Sequence, residues 1–441
     1  MEVLSSYNII IEVSLIIILS FIFNGISKKT NIPAVLMLIA LGVILQYALK
    51  YFVADKFDFM PILEVLGIIG LIMIVLEAAL ELKLQKDKVV PILKALGVAF
   101  VGLLASAWVA ALILHNFVPE MTMKSAWLYA TPLSILSSAI IIPSVVGLKP
   151  NVKEFHIYES TFSDIIGIMM FYFLVGELNP SESSGFIGFG LNLLVTILIA
   201  VVASYVIILI FQKIRSQAKL FLLIAVLLLL YALGKKMHLS SLIIILIFGL
   251  IIANMKLFFV GPLSKYLELD KAKQIYHELH IITLETAFVV RTFFFVIFGL
   301  TIAVASLWDI NVALISIAII LSIYAIRFAV LRVFMGSDIV PQLFIAPRGL
   351  ITVLLFYAIP EEALIATFEP GILLFVIIVT SLVMTWAMIK NGKKESLAKV
   401  ETHDKAMQEL QEVDEVDNKS LLEEDMADDN QDNNEESPGD V

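Results

Sequence analysis

The sequence contains no cysteine in its 441 residues, which excludes disulfide bonds, thiol catalysis and cysteine-ligated metal sites. It also lacks both glycine-rich phosphate-binding patterns, GxGxxG and GxxxxGK[ST], so ATP is not expected to drive the chain by itself. The six histidines are scattered without metal-ligand spacing, and the serines have no histidine and aspartate arranged for nucleophilic catalysis. We therefore expect no enzyme activity, no cofactor and no nucleic-acid partner.

The chain also has too few polar residues for a soluble protein. Hydrophobic residues make up 60% of the chain and the mean hydropathy is +0.97, well outside the range of soluble domains. Apolar runs of about 17–25 residues, long enough to cross a bilayer, recur between short polar breaks. We predict an all-α polytopic membrane protein, embedded in a lipid bilayer, with about thirteen transmembrane helices. The predicted spans are 8–26, 32–51, 60–81, 89–115, 126–148, 155–177, 186–212, 219–235, 239–256, 277–305, 311–334, 341–359 and 370–390.

The net charge of −10 belongs to the C-terminal end and not to the membrane part. Residues 392–441 hold 17 acidic residues against 5 lysines, whereas the chain before them holds 23 acidic and 25 basic residues. The segment is also poor in aromatics, so it cannot bury enough apolar surface to fold alone. We expect a transmembrane domain over 1–391 and an acidic, mostly disordered cytoplasmic tail over 392–441.

Basic residues follow the odd-numbered predicted spans far more often than the even-numbered ones. Lys28, Lys83 and Lys149 stand after odd spans, whereas the loops near 306–310 and 360–369 hold no lysine or arginine. Because cytoplasmic loops carry an excess of lysine and arginine, we predict an external N-terminus and a cytoplasmic C-terminus. That orientation requires an odd number of spans. We expect the protein in a bacterial inner membrane or plasma membrane.

Two predicted spans carry helix-breaking residues near the middle of the membrane. In 126–148, two prolines bracket the central pair Ser137 and Ser138, and in 341–359 a Pro-Arg-Gly triplet places Arg348 near mid-span. Proline removes a helix hydrogen bond, and irregular backbone at membrane depth survives only where it is buried in protein or lines a wet cavity. Interrupted helices in both halves are typical of the ion site of a secondary transporter.

The span 155–177 carries two carboxylates, Glu159 and Asp164. A carboxylate at membrane depth costs about 2.5–3.5 kcal/mol by insertion scales and usually marks a functional position. Five residues apart on a helix, the two point in directions roughly 140° apart. Arg327 is equally deep and needs a partner, so we predict a structural ion pair between Glu159 and Arg327 that leaves Asp164 free to face a water-filled path.

Other membrane charges are expected to matter less. Glu77 and Glu81 approach the inner end of the third span and are expected to be interfacial. Arg291 lies six residues after Glu285, so the two face different sides of their helix and need not pair.

Six segments together resemble the monovalent cation–proton antiporters, the sodium/proton exchangers. ESTFSD at 159–164 is similar to their ESxxND signature, and the YAIR that ends at Arg327 and the PRGL around Arg348 are similar to later family segments. IMIVLEAALELKL, MHLSSLIIILIFGLIIAN and TFFFVIFGL also resemble family segments, and all six occur in the expected order. The resemblance covers about residues 10–390 and leaves out the tail.

The resemblance implies a fold of thirteen helices in two inverted repeats. Scaffold helices within about 8–81 and 219–305 would form a homodimer. Core helices within about 89–177 and 311–390 would carry the ion, and the two interrupted spans would cross beside Asp164.

Carried over by position, the family pattern makes Asp164 the ion- and proton-binding carboxylate, the transient ligand of a transported Na⁺. It makes Glu159 and Arg327 the stabilising pair and places Arg348 beside the crossing. Where exchangers usually have asparagine or a second aspartate, this chain has Ser163, which adds no charge and favours electroneutral exchange.

The predicted site therefore contains a single titrating acid. Thr131, Ser137 and Ser138 on the first interrupted span can offer only neutral oxygens, together with Ser163. Burial favours the protonated form of Asp164, so a proton and a hard cation compete for it. We expect a Na⁺/H⁺ antiporter that works by alternating access.

Two alternatives remain open from the sequence. One is a K⁺/H⁺ antiporter or a K⁺ efflux module of the same superfamily, and Li⁺ is also a candidate ion. The other is a membrane scaffold that transports nothing and recruits partners through its acidic tail. The absence of a Rossmann-type domain after residue 390 counts against a nucleotide-gated efflux module.

Overall fold

Helices form where the sequence predicts apolar spans, because a backbone inside a bilayer must satisfy its own hydrogen bonds. The computed structural model describes residues 6–30, 32–52, 60–84, 88–145, 147–178, 185–214, 219–237, 241–260, 266–301, 304–337 and 339–390. These described residues form helices and turns without any strand, which confirms the all-α fold. The predicted acidic tail, 392–441, lies outside the described residues.

The helices follow the predicted spans closely. In chain order they are α1 (Ser6–Thr30), α2 (Ala34–Phe52), α3 (Met60–Glu81), α4 (Val89–Phe117), α5 (Met123–Ser134), α6 (Ser138–Ser144), α7 (Pro150–Gly176), α8 (Gly185–Phe211), α9 (Lys219–Lys236), α10 (Ser241–Ala253), α11 (Met255–Phe258), α12 (Leu269–Thr301), α13 (Ile310–Met335), α14 (Leu350–Tyr357) and α15 (Gly371–Lys390). Short 3₁₀ turns at Val304–Trp308 and Glu361–Ala363 complete the described elements.

Among the described residues, seven segments are long and apolar enough to cross a membrane, counting α5 and α6 as one. Shorter apolar helices, α10 among them, accompany these seven. The count of thirteen spans stays a prediction.

The first interrupted span breaks between its prolines and not at either of them. α5 ends at Ser134, residues 135–137 are non-helical, and α6 starts at Ser138. Pro132 lies inside α5 and Pro143 inside α6. Each proline removes one donor from its helix, so both short helices keep carbonyl groups that need partners from elsewhere.

The second interrupted span is less helical than predicted. Only α14 is helical within 341–359, because residues 341–344 form turns and residues 345–349 are irregular. Prolines at 341 and 347 supply no N–H, and each disfavours helical backbone at the residue before it. The interruption at Pro347-Arg348-Gly349 is confirmed, whereas helix before it is not found.

The described helices pack in two groups. In the first, α12 packs on α2 and α3, and α10 packs on α3, α8 and α9. In the second, α4 packs on α5, α7 and α13, and α14 packs on α5. Contacts of α3 with α7 and α14 connect the groups, which all belong to one compact unit, Met1–Ala387. The scaffold and core roles predicted for these groups stay predictions.

The first group contains one very close helix contact. A Cβ added to Gly42 of α2 would lie 2.8 Å from the Cα of Gly299, and one added to Gly299 of α12 would lie 2.9 Å from the Cα of Gly42. Small residues let membrane helices approach to backbone contact, where packing and not the hydrophobic effect holds them together.

We predict that Gly42→Ala lowers the stability of the folded protein by about 1–3 kcal/mol, the usual effect of overpacking, because the new methyl group meets backbone that cannot move aside. Thermal unfolding in detergent measures the effect. Gly190→Ala is the matched control, since a Cβ at Gly190 has no atom within 4 Å. Equal melting temperatures for the two variants would contradict the contact.

Candidate functional site

α7 is long and apolar enough to cross the membrane, and it contains the polar residues of the site. The helix begins with Pro150, which suits the first helical position because its missing N–H would have no partner there anyway. Glu159, Ser163 and Asp164 are all buried. Because successive helical residues differ by about 100° in direction, Glu159 and Ser163, which are four residues apart, lie on one face of α7, whereas Asp164 faces other neighbours.

Asp164 faces a small cavity between the two helix groups. Its side chain is only 2% exposed, and the cavity is otherwise lined by apolar side chains of α3, α7, α10 and α14. The cavity measures about 20 Å³, which is room for about one water-sized guest. A buried acid on a cavity of this size is placed to hold one small ion or one proton.

Neither carboxylate oxygen of Asp164 accepts a hydrogen bond of ordinary geometry. The hydroxyl and N–H of Ser138, at the start of α6, face this carboxylate. Buried polar atoms in folded proteins nearly always have partners, so an exception calls for an explanation. A guest that binds and leaves is one such explanation.

Glu159 contacts Arg327 through two short hydrogen bonds. Arg327 Nη1 lies 2.6 Å from Glu159 Oε1 and Nη2 lies 3.0 Å from Oε2. The side chains are 1% and 8% exposed. A bidentate arrangement of this kind compensates a buried charge best. The structure thus brings the two residues together, and their contribution to stability stays a prediction.

Two further groups complete this network, and the sequence analysis predicted neither contact. His156 Nδ1 lies 3.2 Å from Glu159 Oε2, and Arg327 donates from Nε and Nη2 to the carbonyl oxygen of Gln342 at 3.0 and 2.9 Å. The i, i+3 spacing of His156 and Glu159 on one helix face was a usable signal. A backbone carbonyl such as that of Gln342 leaves no trace in a sequence.

Arg348 lies at the end of α5 and binds backbone carbonyls. Its guanidinium donates to the carbonyl oxygens of Leu133 at 3.0 Å, Ser134 at 3.2 Å and Ala346 at 2.7 Å. The last carbonyls of a helix lack intrahelical partners and carry a partial negative charge. The buried cation therefore compensates the broken end of α5, while its own N–H donates to Thr380.

The two interrupted spans touch where both are non-helical. The N–H of Ser137 donates to the carbonyl oxygen of Pro347 at 3.0 Å. A Cβ on Gly349 would lie 2.6 Å from Ser137 Oγ and 2.8 Å from Ile140 Cδ1. Glycine therefore allows the close crossing, in line with the crossing that the sequence resemblance implies.

The neutral oxygens predicted for the ion are spread over the site. Ser138 faces Asp164, but Ser163 Oγ accepts a hydrogen bond from Leu136 N at 3.0 Å and lines a separate cavity beside Glu159. The hydroxyl of Thr131 donates to the Trp127 carbonyl at 2.7 Å.

Ser137 Oγ has no hydrogen-bond partner and does not line the cavity at Asp164. The structure thus brings one of the four predicted hydroxyls to Asp164 and not the hydroxyls of Thr131, Ser137 or Ser163. Ion contacts of these three stay a prediction.

A second charged pair near the site was not expected from the sequence. Glu77 of α3 accepts from Arg291 of α12 at 2.9 Å, and Glu77 lies on the same turn of α3 as Ile74 and Ala78, which line the Asp164 cavity. The two partners are 214 residues apart in the chain, so no helical spacing could reveal the pair.

Comparisons with known proteins agree with this architecture. The family described as sodium/hydrogen exchanger, transmembrane, matches residues 15–390. Two structures of the sodium proton antiporter MjNhaP1 from Methanocaldococcus jannaschii are similar in fold. The structure at pH 8 has a TM-score of 0.64 and 22% identity over 86% of this chain and 97% of that one. The one from an electron-microscopy map has a TM-score of 0.64 and 20% identity over 90% and 98%. No protein of curated function matches the sequence.

We predict that Glu159→Ala lowers the stability by about 3–5 kcal/mol, because it leaves the Arg327 guanidinium buried without its counter-charge. The exchanged double variant Glu159→Arg with Arg327→Glu should recover part of the loss. Recovery is only partial because a glutamate cannot donate to the Gln342 carbonyl. Detergent melting measures all three variants, with exposed Glu361→Ala as control. A double variant no better than either single change would contradict the pairing.

Proposed function

The chain belongs to the sodium/hydrogen exchanger family, whose members are membrane transporters and not enzymes. On this basis we propose that the protein exchanges one Na⁺ for one H⁺ at a single carboxylate, Asp164. One observation carries the proposal. Both oxygens of Asp164 are buried without hydrogen bonds of ordinary geometry, beside a cavity that holds about one small guest.

The chemistry follows from the cost of a bare buried carboxylate. Desolvation makes the ionised form of Asp164 expensive unless a proton or a cation neutralises it. A proton and a hard cation use the same oxygens, so each excludes the other. Ser138 supplies the nearest additional oxygen for the cation.

The fixed charges around Asp164 support a single exchanging acid. Glu159 and Arg327 neutralise each other, and Arg348 is compensated by the carbonyl end of α5. None of these charges needs to change during a cycle. The charge of the moving part then depends on whether Asp164 carries a cation, a proton or neither.

Alternating access would follow from movement of α4–α7 and α13–α15 against the other helices. A core with a neutralised Asp164 crosses the apolar contact with α3 and α10 at lower cost than a core with a bare anion. We further propose an external N-terminus and a cytoplasmic C-terminus, a homodimer formed by the scaffold helices, and a bacterial inner membrane or plasma membrane as the location.

We predict that Asp164→Asn abolishes proton-coupled cation flux while the protein stays folded, because an amide neither releases a proton nor neutralises a cation. A pH-sensitive dye in proteoliposomes reports the flux, and detergent melting reports folding. Asp309→Asn is the matched control: Asp309 caps α13 at the exposed surface, and asparagine caps equally well. Robust exchange by Asp164→Asn would refute the assignment.

Ion identity is tested with the wild-type protein in the same vesicles. Na⁺, Li⁺ and K⁺ are added in turn, with and without an imposed potential. Dye responses to Na⁺ that do not depend on the potential are expected for one-to-one exchange. A response to K⁺ and not to Na⁺ would favour a K⁺/H⁺ antiporter.

A further inference from the structure

Arg291 and Glu77 form an ion pair beside the site that the exchange cycle does not use. Arg291 Nη2 lies 2.9 Å from Glu77 Oε2, and the side chains are 16% and 17% exposed. The pair joins α12 to α3, two helices of the same packing group. Its partial burial makes it stronger than a surface pair, which salt and water would weaken.

The second arm of Arg291 reaches the interrupted span. Its Nη1 donates to the carbonyl oxygen of Ala139 in α6 at 3.4 Å. In an intact helix that carbonyl would accept from the N–H four residues later, but residue 143 is proline and has none. Arg291 therefore supplies a donor that Pro143 removed, one residue from Ser138. This contact places the guanidinium next to the interrupted span.

Glu77 lies near the cavity of Asp164. Ile74, Val75 and Ala78, which lie on the same turn of α3 as Glu77, line that cavity together with Asp164, so α3 places Glu77 beside it. A negative charge at that place disfavours a second one on Asp164. Among the described residues, the charged groups around Glu77 are Arg291, its ion-pair partner, Asp164 on the neighbouring cavity and Glu81, one turn along α3. Arg291 is thus the positive group that neutralises Glu77, the second acid beside the Asp164 cavity.

We propose that Arg291 determines how much charge this antiporter moves per cycle. The ion pair with Arg291 keeps Glu77 ionised, so Glu77 does not bind and release a second proton when Asp164 exchanges its own. The inference rests on the proposed Na⁺/H⁺ exchange and adds a residue that sets its stoichiometry. Without the guanidinium, two free acids stand beside one cavity, and two protons can then be exchanged for one Na⁺.

The test measures whether an imposed potential drives exchange by Arg291→Gln in proteoliposomes. Wild-type exchange should not respond to the potential. Exchange by Arg291→Gln should respond, and an inside-negative potential should speed Na⁺ efflux. One net charge per cycle shifts the equilibrium Na⁺ gradient by up to about 50-fold for each 100 mV. If Arg291→Gln does not fold, Arg291→Met makes the same charge change with an unbranched apolar side chain.

Two variants separate the charge of Arg291 from a merely structural role. Glu77→Gln with Arg291→Gln removes both charges and should again be insensitive to the potential. Arg291→Lys keeps the positive charge and should also be insensitive, although its ammonium cannot serve both partners as a guanidinium fork does. Arg332→Gln, which changes an exposed arginine at the end of α13, should behave as wild type.

The outcomes distinguish this inference from the proposed function. Wild-type vesicles without any proton-coupled Na⁺ flux would overturn the proposed function itself. Wild-type exchange together with potential-insensitive exchange by Arg291→Gln would overturn only the role of Arg291. Potential sensitivity that persists in the double variant would show that the charge of Glu77 is not involved, which also overturns it.

Discussion

The cost of placing charge in a medium that cannot solvate it governs this protein. Glu159, Arg327 and Arg348, which are buried, are each compensated by neighbouring groups. Glu159 and Arg327 neutralise each other through paired hydrogen bonds, whereas Arg348 is surrounded by backbone carbonyls. Asp164 has no such partner among the described residues. The group left uncompensated is therefore the one with a reason to bind something from solution.

Broken helices leave backbone carbonyl groups without hydrogen-bond donors inside the membrane. Two arginines supply these donors. The carbonyls at the end of α5 receive the N–H groups of Arg348, and the carbonyl of Ala139, which Pro143 deprives of its donor, receives Arg291. A guanidinium suits this role because it carries five donors in a rigid plane. Irregular backbone and buried cations are thus two parts of one arrangement, and neither would be stable at membrane depth without the other.

Much of the fold followed from the sequence because the bilayer enforces simple rules of length and polarity. The spans, both interruptions and the proximity of Glu159 to Arg327 were predictable. Each follows from the free-energy cost of placing a charged residue or a helix-breaking residue in a bilayer, and the residue type alone shows that cost. Directions and long-range contacts were not. Ser163 points toward Leu136 and away from the Asp164 cavity, and no local pattern shows which turn of a broken helix will meet it. The chemical type of a residue was readable, whereas its neighbours depended on how the helices pack.

The contact of α2 with α12 has a consequence for motion. Because Gly42 and Gly299 place two backbones against each other, those helices have no intervening side chains that could rearrange and let them slide. The cavity between α3, α10, α7 and α14 is lined mainly by aliphatic side chains, which pack without directional bonds. In the proposed exchange cycle, the glycine contact would hold α2 and α12 together, and the movement would take place along the aliphatic boundary.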